Sequence, residues 1–355
     1  MRKNIFVGLL LAGLTGLGCT DSSREASAAQ GVRTSGVQSA APTETPDEDT
    51  LATQAYARMR ESFAAKQAAS TRLAVYELQP VGDVAQRAME RARVLGLDTG
   101  TEQRSSHGVA LVEGSRELRV DALSGGERYV DNARFHTGRG IPTLPLAQSE
   151  YISRARAHVQ RVLPEVAAHA LRTYRVRRYM NESAGPGGER TGAMTYQVAV
   201  AFHETLDGLP VIGPGGKVAV HLTPDGEVIS HESTVRATAR RVADVSGEGL
   251  LPPDEARRQA EARLTARGVN PTQYTLSRAE LGYFRLGRDS IQSLLVPHYA
   301  YFYEPASREV LGKKQVEIIP AITDPELLAR LRQDEEAETA RKAERLSPAP
   351  SEDRK

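Results

Sequence analysis

One cysteine, Cys19, stands among 355 residues, so the chain builds neither a disulfide framework nor a thiolate metal site. Only seven of its 46 basic residues are lysine, an imbalance that reads as genome composition and points to no function. Basic and acidic residues nearly cancel, 46 against 45, for a net charge of +1, which argues against an electrostatic nucleic-acid binder. The one long apolar run, residues 5–17, is too short to span a membrane and gives way to a polar segment. Catalytic signatures are missing as well: GxSxG, HExxH and a GxxxxGK motif followed by Ser or Thr do not occur, and the single cysteine offers no Cys-His site. Gly213-Pro214-Gly215-Gly216-Lys217 lacks the spacing of a phosphate loop and reads as a turn. The expectation is a protein that is not an enzyme and carries no cofactor and no metal. A cryptic hydrolase without a familiar motif is the enzymatic alternative.

What is present begins with an address. Arg2 and Lys3, the apolar run and the small residues before Cys19 form an export signal over residues 1–18. Leu17-Gly18-Cys19 resembles the lipobox of bacterial lipoproteins, although Gly16 stands where that motif usually has leucine. The resemblance implies lipidation at Cys19 and attachment to a membrane of the cell envelope, with the body in the periplasm. Thr20 rather than an acidic residue follows Cys19, which favours the outer membrane over the inner. Residues 19–50 are Ser, Ala, Thr, Pro and acid with almost no large apolar side chain, the composition of a disordered tether.

Three passes of helix followed by alternating strands come next, and the fold class they predict is α+β. The first, residues 51–137, opens with a helical stretch at 51–70 and a strand at 72–78. A helix follows on Val84, Ala88, Ala92 and Leu95, with Asp83 as cap and Gly96 as stop, and then three strands near 108–112, 117–122 and 127–130. The second, 146–242, starts after a Gly and Pro linker with a helix capped by Ser149 and facing inward through Ile152, Ala155, Val159, Val162 and Leu163. A strand at 171–180, an excursion at 181–188 and the sheet of 196–235 complete it. Its inward set is Tyr196, Val198, Val200 and Phe202 on one run and Val218, Val220 and Leu222 on the next. The turn Thr223-Pro224-Asp225-Gly226 presets its geometry through proline and glycine. The third, 252–320, opens at Pro252-Pro253-Asp254-Glu255 with Ala256, Ala260 and Leu264 on one helix face, then strands. A last helix over 324–346 is apolar only at Leu327, Leu328 and Leu331, so it is expected to dock by its first turns and project beyond them, with a disordered tail at 347–355.

The second and third passes resemble the PepSY and FTP modules of thermolysin-type propeptides and related envelope proteins. The residues that carry this are Tyr196-Gln197-Val198-Ala199-Val200, Asp207-Gly208-Leu209-Pro210-Val211-Ile212-Gly213, the strand from Val218 to Leu222, Asp225-Gly226-Glu227-Val228-Ile229 and Pro253-Asp254-Glu255-Ala256. The resemblance implies repeated modules in which a helix packs on an antiparallel sheet, a cystatin-like arrangement. It also implies binding of an envelope protein partner, with restraint of a peptidase or modulation of a signalling system. Without HExxH in the chain, the peptidase would be a separate protein.

Three groups of residues are candidates for more than folding. His203, His221 and His231 are expected to share the exposed face of the 196–235 sheet, but adjacent strand residues point to opposite faces, so His203-Glu204 and His231-Glu232 are no zinc motif. Tyr299, Tyr301 and Tyr303 alternate along one strand face, as core packing or as an aromatic surface for a partner, a peptide or a small hydrophobic ligand. Arg172, Arg175, Arg177 and Arg178, with Arg236, Arg240 and Arg241, form either a basic patch or the charged strand edges that block aggregation.

Overall fold

The computed structural model describes residues 72–134, 146–167, 170–181, 194–306 and 313–346. The expected signal, Cys19, the tether, the 51–70 helix, the 138–146 linker up to residue 145, most of the 181–188 excursion and the tail at 347–355 fall outside the described residues. The chain is mixed α+β with a large, mostly antiparallel sheet and few helices.

In chain order the elements are β1 (Leu73–Leu78), α1 (Val84–Leu95), β2 (Thr101–Ser105), β3 (Gly108–Glu113), β4 (Arg116–Asp121) and β5 (Glu127–Asp131). Then come α2 (Gln148–Val162), the single turn α3 (Pro164–Ala167), β6 (Ala170–Asn181), β7 (Met194–Leu206), β8 (Leu209–Ile212), β9 (Lys217–Leu222), β10 (Val228–Ser233) and β11 (Thr238–Val245). The last are α4 (Pro253–Ala266), β12 (Tyr274–Phe284), β13 (Leu294–Leu295), β14 (Pro297–Pro305), β15 (Gln315–Pro320) and α5 (Pro325–Leu346). One sheet runs β15-β14-β12-β8-β7-β9-β10-β5-β4-β3-β2, with β6 paired to β7 off this path. A second, small sheet has the order β11-β1-β13.

Local chemistry explains the helix ends. The Asp83 carboxylate accepts from the amides of Ala85 and Gln86 at 2.9 and 3.0 Å, satisfying donors the first turn of α1 cannot pair internally. Gly96 closes that helix at φ +69°, which a side chain would oppose. At α2 the expected Ser149 cap is not used. The helix starts at Gln148 with no side-chain cap, and the buried Tyr151 fixes the entry instead: its hydroxyl accepts from the Leu146 amide at 3.0 Å and donates to Pro224 O at 2.6 Å.

Three of the helices, α1, α2 and α4, each cover an apolar cluster. Ala85, Ala88 and Ala92 of α1 meet Val109, Leu111, Leu118 and Val120. Tyr151, Ala155, Val159 and Val162 of α2 meet Val198, Val200, Phe202, Val218, Val220 and Leu222. Ala256, Ala260 and Leu264 of α4 meet Leu276, Leu281, Tyr299 and Tyr301. The boundaries drawn from sequence are nevertheless crossed, because β1 does not pair with β2–β5. It lies between β11 (Leu73↔Val245) and β13 (Tyr76↔Leu295), and Leu73, Val75 and Leu78 belong to the α4 cluster.

Two further contacts tie the passes together. Glu204 of β7 and Arg285, both fully buried, pair at 3.2 Å, and Arg285 Nη1 donates to Arg236 O at 2.7 Å. The Gly213–Gly216 turn wraps this pair so closely that a Cβ at Gly215 would stand 2.1 Å from Leu286 O, which explains the glycines without a phosphate. The Asp207 carboxylate accepts from the Tyr76 hydroxyl at 2.9 Å and the Tyr283 hydroxyl at 2.8 Å. Burial first, then Asp207, pushes the Tyr76 phenol up to about 12.

The last helix does not project as expected. Beyond its apolar first turns, Asp334 accepts from the Ser293 amide and hydroxyl at 2.7 and 2.9 Å, and Glu338 accepts from the Ile291 amide at 3.1 Å. Arg341 pairs with Glu338 and donates to Asp289 O. Charged side chains, not apolar ones, hold its later turns to the 285–293 loop.

Candidate partner-binding edge

The tyrosine triplet resolves as core. Tyr299, Tyr301 and Tyr303 are 0%, 0% and 3% exposed beneath α4, and the first two hydroxyls donate to Leu251 O and Pro253 O at 2.9 and 2.8 Å. They offer no surface to a partner and no path for a ligand. Their alternation signalled one shared face but could not say that a helix covers it.

The histidines separate. His231 does not share the exposed face with His203 and His221. Thr223 does pair with Glu227, but the β9–β10 register slips after Val228, leaving Ile229 as an extra residue, so His231 lies opposite Val220 on the core face. It is 1% exposed and its Nδ1 is 3.0 Å from Nε2 of His158 on α2. His203 and His221 remain on the outer face. His203 stacks on Tyr174 with ring centroids 3.9 Å apart, and burial, then Lys217, pushes it down to about 4. No cluster of three or more His, Cys, Asp or Glu able to hold a metal occurs among the described residues.

Of the seven arginines, Arg172, Arg175, Arg177 and Arg178 come together on β6. This strand pairs with β7 along one edge, and among the described residues no strand occupies its other edge. Its inward residues explain why it stays on the sheet: Leu171 and Val176 pack against the α2 cluster. Cross-strand register places Val176 opposite Val200 and Arg178 opposite Val198 on the α2 side, and Arg172, Arg175 and Arg177 opposite His203, Ala201 and Ala199 on the outer face. All four arginines are exposed, and none has an ion-pair partner among the described residues. Arg177 lies over the Tyr179 ring at 5.0 Å.

Two irregularities shape the edge. The register shifts between Thr173 and Arg175, where Tyr174 is the extra residue of β6, and again between Tyr179 and Met180, where the extra residue is Tyr196 of β7. Tyr174, at the first bulge, and Met180, at the second, are 49% and 60% exposed. Arg156 of α2 donates to Leu171 O at 3.4 Å and to Thr173 Oγ1 at 3.3 Å, which closes the strand's beginning and leaves its stretch from Tyr174 onward open. Arg236, Arg240 and Arg241 do not join this patch. Arg236 is 8% exposed beside Arg285, Arg240 pairs with Glu77 at 2.7 Å, and Arg241 pairs with Asp244.

Among the described residues, the edge presents a backbone with no second strand beside it, flanked by four guanidinium groups without an ion pair and by two exposed large side chains. A bare edge is protected by charge alone. The exposed Tyr174 and Met180 add contact area that protection does not require.

No family model matches the chain, and no curated protein matches it. Among solved structures, an uncharacterized protein from Eubacterium rectale is similar at 9% sequence identity and a TM-score of 0.41, over 71% of this chain and 83% of that one.

Proposed function

We propose that this chain is a non-catalytic lipoprotein of the bacterial cell envelope, anchored through Cys19 to the outer membrane, and that it binds a protein partner to restrain a peptidase or modulate a signalling system. Its second and third helix-on-sheet passes are read as FTP-like and PepSY-like modules of the cystatin-like kind. The partner is bound by strand addition: an extended, acidic segment lies along the open edge of β6 and pairs with its backbone. Carboxylates on alternate positions meet Arg172, Arg175 and Arg177 on one face. The single observation that carries this reading is the basic edge itself, a twelve-residue strand paired on one side only, with four arginines that nothing neutralises among the described residues. Charge complementarity then selects the partner segment and speeds encounter.

The test is fluorescence anisotropy of the full mature chain with a labelled peptide of alternating glutamate and valine. Its lysine-for-glutamate counterpart is the control. The acidic peptide is expected to bind, with affinity falling as salt rises. The double charge reversal R175E/R177E is expected to weaken it at least tenfold, about 1.4 kcal/mol. Equal binding of the basic peptide, or an unaffected double variant, would contradict the reading.

A further inference from the structure

We propose that the cleft between α2 and the β4–β5 segment is a binding site for a small organic polyanion, a molecule carrying two or more carboxylate or phosphate groups. The cleft has a volume of about 530 Å³, within the range of small-molecule sites. Four guanidinium groups line it, from Arg116, Arg134, Arg154 and Arg161, against two carboxylates, Asp131 and Glu227. Both carboxylates are engaged by Arg134, at 3.2 and 3.0 Å, while Arg154 pairs with Glu150 at 3.5 Å and Arg116 pairs with Glu113. Arg161 is exposed and has no ion-pair partner among the described residues. A planar guanidinium fork matches carboxylate and phosphate oxygens two at a time.

The floor of the cleft supplies a second, independent observation. His158 lines it and is 4% exposed, yet its Nδ1 has no hydrogen-bond partner. Its Nε2 is engaged by His231 Nδ1, and Nε2 of that buried ring is also unpartnered. One proton sits in the hydrogen bond between the rings, which leaves two arrangements. If His158 donates, His231 carries its own proton on Nε2 and His158 Nδ1 keeps a lone pair. If His231 donates, its Nε2 keeps the lone pair and the His158 proton sits on Nδ1. Either way a buried ring nitrogen of His158 is left without a partner at the cleft floor. Tyr129, stacked on His231 at 5.6 Å, completes a floor on which Arg116, Arg134 and Arg161 all act electrostatically.

This site lies off the β6 edge and does not rest on the strand-addition reading. The test is isothermal titration of the full mature chain with citrate and with inorganic pyrophosphate, sucrose and matched sodium sulfate serving as controls. One-to-one binding of either polyanion is expected, weakened at least tenfold by Arg161→Ala, partly restored by Arg161→Lys and unchanged by Arg175→Ala. Arg154→Ala provides a second reading should the first variant lose its circular dichroism. In the imidazole nitrogen spectrum the His158 Nδ1 resonance is expected to move on titration. Absence of binding at millimolar polyanion, binding no stronger than sulfate, Arg161→Ala and Arg154→Ala both binding like the wild type, or a His158 Nδ1 resonance unmoved at saturation would overturn the proposal.

Discussion

His158 and His231 share one hydrogen bond in a setting that admits no charge, and the other partly or fully buried histidines behave alike. Burial pushes His158, His203, His221 and His298 down to about 4, and His231 well below its ordinary value. Each therefore takes up its proton more readily in the unfolded chain. The stability they hold is complete above pH 6.5 and is lost as pH falls toward 4. For the nearly inaccessible His158 and His298 this amounts to about 2 kcal/mol each at pH 5, so the urea midpoint is expected to drop sharply between pH 7 and pH 5. An unchanged midpoint would show that these rings already titrate normally. A second residue-scale expectation concerns Glu204→Gln, which leaves Arg285 as an uncompensated buried charge and should cost about 3–5 kcal/mol by denaturant unfolding. Neither site was legible in the sequence. Parity along β10 put His231 on the solvent face, and one extra residue at Ile229 reverses every side chain that follows it. Arg285 looked like any other strand-end arginine, because its partner lies 81 positions away.

At the scale of elements, the helices were readable where apolar spacing or a cap marks them, as at Asp83, Gly96 and the Ala256, Ala260, Leu264 stripe. β2 was not, since Thr101 to Ser105 is exposed throughout and shows no apolar alternation. The later turns of α5 were misread for a related reason. Their anchors are Asp334, Glu338 and Arg341, which in a sequence look like a solvated face. Asp334→Ala is accordingly expected to destabilise the chain by about 1–2 kcal/mol, because the Ser293 amide and hydroxyl both lose their acceptor. A thermal melt unchanged by this substitution would return α5 to the projecting helix the sequence suggests. β6 was legible as a basic strand, but its open edge was not, because a sequence shows a strand without showing its neighbours.

Across the whole molecule the decisive contact is a long-range one. β1 closes the small sheet between β11 and β13, pairing residue 73 with residue 245, so the first strand of the body completes the core under α4. Leu73→Ala or Val75→Ala is expected to cost about 2–5 kcal/mol and to open the 285–296 region, adjoining β13, to proteolysis. Cleavage confined to the β2–β5 region would instead make β1 part of the first pass. Pattern along the chain cannot disclose such a pairing, because alternation reports which face is apolar and not which distant strand lies beside it.

The measurement that tests the strand-addition account most directly is hydrogen exchange of the full mature chain with and without saturating glutamate-valine peptide. The account predicts fast exchange for the open-edge amides between Tyr174 and Met180 in the free protein, and marked slowing there on binding, with α1 and α4 unchanged. Protection that spares β6 while appearing elsewhere, or no protection under saturating peptide, would contradict it.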